Sequence, residues 1–182
     1  MKNLLFILSA VLLLASCSSN SKEQLFIEKY SEQLIEKYPN YESNEIARKA
    51  INDSIAHFCK SYVGKDASFF KGVHFRFLRL IENEQKGTHA VLFESTGLFC
   101  EIKSEAGGGK YVIANPIFAV LGTPDEATVA TLSSGEEYYI SGTIHAWDGD
   151  HMIHFPSSNP ANLDFGTVIM ETISISKADK QK

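Results

Sequence analysis

The chain has 182 residues, 44% of them hydrophobic, enough for one domain with a core of its own. Its 17 Lys and Arg face 22 Asp and Glu, a net charge of −5. That balance argues against a protein that holds nucleic acid through a basic surface, because phosphate neutralisation supplies most of the affinity in that class.

The first residues read as a leader. Lys2 precedes an apolar run from Leu4 to Ala15, which is short for a membrane span and fits a signal peptide. The run closes on Leu14-Ala15-Ser16-Cys17, which resembles the lipobox of bacterial lipoproteins. The resemblance implies cleavage after residue 16, lipidation of Cys17 with palmitate among its acyl chains, and attachment to a membrane of the bacterial cell envelope. Removing residues 1–16 takes away Lys2 alone among the charges, so 16 basic residues then face 22 acidic ones, a net of −6. Acyl chains need no basic surface to hold a protein at a membrane.

Residues 17–22 form a polar tether, and residues 23–63 a helical segment. Between Ser21 and Tyr38 the residues Ile27, Tyr30, Leu34 and Tyr38 recur at helical spacing, and Pro39-Asn40 ends the pattern. Ser43 is placed to cap a second helix, whose stripe runs from Ile46 through Ile51 and Ile55 to Cys59 and Tyr62, with Gly64 as its stop. Both stripes suit packing against the rest of the domain; a dimerising or groove-binding pair is the sharper alternative.

From residue 64 to 176 the pattern is β. Phe69 to Ile81 alternates, with Val73, Phe75 and Phe77 on one face and His74, Arg76 and Leu78 on the other. Thr88–Glu94 and Leu98–Lys103 follow as strands, then a Gly-rich loop over residues 106–109 that lacks the spacing of a phosphate loop. A strongly apolar strand is expected from Tyr111 to Leu121. Thr123 as N-cap and Pro124 at the first helical position predict a short helix running to about Leu132. Gly135 to Phe155 reads as a hairpin turning at Asp148-Gly149, since Asp-Gly suits a two-residue turn with positive φ. Pro156 to Asp164 is a loop, and Gly166 to Ser176 the last strand. Short strands with small-residue turns predict an α+β chain in which a helical pair precedes a small barrel.

Three constellations bear on chemistry. His145, His154 and Asp150 gather on the hairpin as a weak metal set, because diagonal strand neighbours lie close enough for two imidazoles to share an ion while zinc wants a third ligand. Cys59 and Cys100 remain once Cys17 is acylated, and an exported location permits a disulfide between them, although Cys59 also suits a free thiol on an apolar helix face. No nucleophile elbow, HExxH or paired catalytic carboxylates are present, so no cofactor and no catalytic residue is expected.

The order Ala56, then Tyr62-Val63-Gly64-Lys65, strands, a short helix and Gly135-Glu136 through Tyr139-Ile140 to Gly142-Thr143-Ile144 resembles the tRNA-anticodon-binding-like OB-fold family of bacterial lipoproteins. The likeness spans residues 45–155 and implies an OB-like barrel. It does not carry RNA binding with it, since fold does not fix function. The reading is a membrane-anchored, non-enzymatic binding or assembly module for a protein, peptide or glycan partner, without nucleic acid. A metal-dependent or hydrolytic envelope enzyme built on the His-rich hairpin is the alternative.

Overall fold

The structure is a computed structural model and describes residues 24–83, 88–104, 110–149 and 162–178. Two helices open it. Helix α1 (Phe26–Lys37) begins later than the periodicity suggested, because Leu25 is extended. It buries Ile27, Leu34 and Ile35 on the expected face. Helix α2 (Glu45–Ser61) is capped by Asn44, not Ser43: the Asn44 amide oxygen accepts from the Ile46 and Ala47 N–H groups at 2.9 and 3.2 Å. Ile51, Ile55 and Cys59 are buried, whereas Ile46, in the first turn, is 82% exposed and leaves the expected stripe. Gly64 ends the segment at φ 79°, as a helix stop demands.

The first β run starts late. Ser68–Phe70 forms a 3-10 turn, and Gly72 at φ 80° interrupts the extended chain, so strand β1 covers only His74–Asn83. The inward alternation of Phe75 and Phe77 survives, and Phe69 and Phe70 are buried from the turn instead. Strand β2 (Thr88–Thr96) pairs antiparallel with β1, with one extra residue, Leu78, between the Phe77 and Arg79 pairings. Strands β3 (Cys100–Ser104) and β4 (Lys110–Ala114) pair with each other in a separate two-stranded sheet.

The apolar run expected as one strand from Tyr111 to Leu121 is two. It breaks at Asn115, and β5 (Pro116–Gly122) opens on a proline, a position where the missing N–H costs no ladder bond. Helix α3 (Glu126–Val129) is shorter than expected. Its cap is Asp125, whose Oδ1 accepts from the Thr128 N–H at 2.7 Å; Thr123 and Pro124 precede it. Strands β6 (Glu137–Asp148) and β7 (Leu163–Lys177) complete the chain.

The two-residue turn expected at Asp148-Gly149 does not form. Asp148 still belongs to β6, paired with Thr167 of β7, and Trp147 pairs with Val168. Gly149 lies outside the left-handed region that a two-residue turn requires. The remainder of that expected hairpin lies outside the described residues.

The larger sheet is mixed and runs β1–β2–β5–β7–β6, with β6 returning to β1 to close a ring. The β5–β7 pairing is parallel and the others antiparallel. The protein is therefore α+β, as the pattern indicated. Closure depends on a short seam in which Phe75 pairs with Tyr138 and Arg76 with Glu137. Phe70, Phe75, Phe93, Phe118 and Phe165 are fully buried, and Phe70 lies 5.2 Å from Phe75 and 5.1 Å from Phe118 between ring centroids. Phe58 of α2 reaches the same core, 5.2 Å from Phe69 and 6.2 Å from Phe165. Helices and ring thus share one apolar interior, where each large side chain contributes about 1.5–3 kcal/mol of transfer free energy.

Candidate functional site

Strand alternation sends Phe75 and Tyr138 inward, which turns His74, Arg76, Glu137 and Tyr139 outward across the seam. They meet there. The Glu137 carboxylate engages His74 Nδ1 at 2.9 Å through Oε2 and accepts from the Thr96 hydroxyl at 2.9 Å through Oε1. His74 Nε2 lies 2.9 Å from the Tyr139 hydroxyl. The His74 hydrogen bond, ahead of the Thr96 one, holds the Glu137 carboxyl below its ordinary value, so the group is ionised near neutral pH. Nδ1–H therefore donates to Glu137, and in the neutral imidazole Nε2 is left to accept from Tyr139. The line Tyr139–His74–Glu137–Thr96 crosses β6, β1 and β2.

Beside it, Arg76 engages Glu94 Oε1 through Nε at 2.6 Å and through a terminal guanidinium nitrogen. Glu94 is buried, and its partner leaves half of its own side chain in solvent. A groove of about 490 Å³ opens over these groups, walled by Thr96, Phe99, Asn115 and Ile117. Phe99 is 49% exposed, a large aromatic held out of the core. Its backbone N–H donates to Glu28 Oε1 at 3.1 Å, so a carboxylate on α1 fixes the loop that presents it. The groove offers oriented donors and acceptors, one aromatic face and no net positive field.

The residues singled out from the sequence are placed elsewhere or not at all. Cys17, the 17–22 tether, Asp150 and His154 lie outside the described residues. His145 is exposed on β6, its Nδ1 3.1 Å from Glu171 Oε1. Among the described residues no cluster of three metal-type ligands occurs. The bridge considered between Cys59 and Cys100 is not formed: both thiols are free and buried. Each donates to a different carbonyl, Cys59 to Phe165 at 3.8 Å and Cys100 to Glu28 at 3.3 Å. Among the described residues no helix is long and apolar enough to cross a membrane.

His74 and Arg76 were legible as the polar face of a strand, but nothing local linked them to Glu137, which arrives from 63 residues away when the ring closes. No protein-family model, curated protein or solved structure matches the chain.

Proposed function

We propose that the protein is a lipid-anchored, non-enzymatic binding module of the bacterial cell envelope, and that its groove between Arg76 and Phe99 takes an uncharged, hydroxyl-rich ligand of glycan type. The lipobox at Leu14–Cys17 supports the anchor. The ring order, the parallel β5–β7 pairing and the short helix between β5 and β6 support an OB-like barrel, an architecture whose outer strand face takes oligosaccharides as well as oligonucleotides.

The observation that carries the ligand class is the pairing of charge in the groove. Arg76 is engaged by Glu94, and Glu137 by His74 and Thr96, so the guanidinium and carboxylates are held in place and, among the described residues of the groove, no free cation is left for phosphate. Such groups match sugar hydroxyls, and half-exposed Phe99 offers a flat apolar face for a sugar ring. Two carboxylates against one guanidinium repel a nucleic-acid backbone.

Frontal affinity chromatography of the acylated protein on immobilised glucose and N-acetylglucosamine oligomers tests this. Retention is expected, with a loss on the order of tenfold for Phe99→Ala. Absence of retention on every neutral oligomer sinks the proposal. Retention on an oligonucleotide that falls steeply with salt would move the protein to the nucleic-acid class.

A further inference from the structure

A second groove, of about 630 Å³, lies where α1 begins, and its lining reverses the charge of the rest of the chain. Leu25, Phe26, Lys29, Tyr62, Phe69 and Lys71 form most of it, and among the described residues it contains two lysines and no carboxylate. Neither lysine has an ion-pair partner among the described residues. Phe26 is 51% exposed at its edge, and Val63, next along from Tyr62, is 41% exposed. Unpaired ammonium groups beside exposed aromatic and branched side chains are the composition that settles at a lipid headgroup layer.

Gln24, which also lines this groove, is seven residues beyond Cys17. Seven residues reach at most about 25 Å when fully extended. Whatever path that stretch takes, an acylated Cys17 keeps this end of the domain within that distance of the bilayer surface. We infer that the groove framed by Lys29, Lys71, Phe26 and Tyr62 docks on anionic phospholipid headgroups of the membrane that holds the anchor, turning the domain to one orientation. The inference rests on the lipoprotein reading. It adds that the domain does not swing freely but seats this groove on the lipid, with Lys29 and Lys71 against headgroup phosphates.

Acylated protein bound to vesicles of phosphatidylcholine alone, or of phosphatidylcholine with phosphatidylglycerol, is treated briefly with an amine-acetylating reagent and read by mass spectrometry. Lys49 serves as the reference, since it lies 13 residues before Tyr62 on α2, about 20 Å along the helix. Lys29 and Lys71 are expected to react roughly fivefold more slowly than on phosphatidylcholine when phosphatidylglycerol is present, with Lys49 unchanged. Equal rates on both vesicle types, with the protein still sedimenting with them, overturn the docking while leaving the anchor intact. Failure to sediment with either vesicle overturns the anchor and the docking together. The same protection produced by inorganic phosphate without vesicles would show a soluble-anion site instead, and would also overturn the inference.

Discussion

Glu28 Oε1 accepts the Phe99 N–H at 3.1 Å across 71 residues of sequence, while its Oε2 accepts the Leu25 N–H at 2.9 Å. One buried carboxylate therefore closes the first turn of α1 and anchors the loop that displays Phe99. Glu28→Ala removes the acceptor of both amides. A destabilisation of about 1–3 kcal/mol is expected, the sum of a lost helix-start bond and an orphaned, part-buried N–H. Urea unfolding of the variant against wild type measures it, and a shift under half a kcal/mol would mean that water replaces the carboxylate.

The seam carries a pH dependence of definite sign. Hydrogen bonding to His74 depresses the Glu137 carboxyl from its ordinary 4.5. A depressed carboxyl stabilises the fold above its unfolded-state value, and that contribution disappears as pH falls through the lower folded value. Melting temperatures of wild type and Glu137→Gln should therefore differ at pH 7 and converge as pH falls below the ordinary 4.5 and through the lowered folded value. A gap that stays constant across this range would assign the difference to packing.

Gly166 is a glycine that the fold cannot replace. It holds φ 70°, and a Cβ there would sit 2.3 Å from the Asp148 carbonyl oxygen and 3.2 Å from Trp147 Nε1. The Trp147 indole N–H donates to the Phe165 carbonyl at 2.7 Å in the same crossing. Gly166→Ala should cost about 3 kcal/mol or more, read through tryptophan fluorescence during unfolding. Gly149→Ala should cost far less: among the described residues the nearest atoms to its Cβ are those of the Trp147 ring, at 3.1 Å, and its backbone lies outside the left-handed region.

That contrast shows what could be read locally. Asp148-Gly149 carries a strong turn signal, yet Asp148 stays in β6 because β7 supplies it a partner in Thr167. The helix stripes and the inward alternation of Val73, Phe75 and Phe77 were legible, since local periodicity decides them. The break at Asn115 was missed because an apolar run says nothing about which sheet each half joins. The His74–Glu137 contact was out of reach of any window of sequence, and Asp150 and His154 of the metal set lie outside the described residues.

Cys59 and Cys100 should stay unreactive in the folded protein. Burial pushes both thiols up to about 12, helped by the negative charge of Asp164 for Cys59 and of Glu32 and Glu28 for Cys100. Iodoacetamide at pH 8 should label them on the order of a thousandfold more slowly in buffer than in urea. Fast native labelling at either site would show that its cover opens readily.

Cys17→Ala should prevent acylation and release the protein from the membrane fraction, as immunoblots of fractionated cells would show. Unchanged membrane association would remove the lipoprotein reading.

Strand β7 is the last of the ring strands to leave the ribosome, and it lies between β5 and β6, pairing with the first in parallel and with the second in antiparallel fashion. A nascent chain halted before Leu163 owns the other four ring strands and still has no ring, only a split sheet with the open flanks of β5 and β6 ready to pair with a stranger. Closure waits for a distant partner, which makes assembly slow and prone to association before completion. An unfinished copy of this protein is thus a sticky one, and chaperoning during biogenesis has a defined target: the vacant slot between β5 and β6.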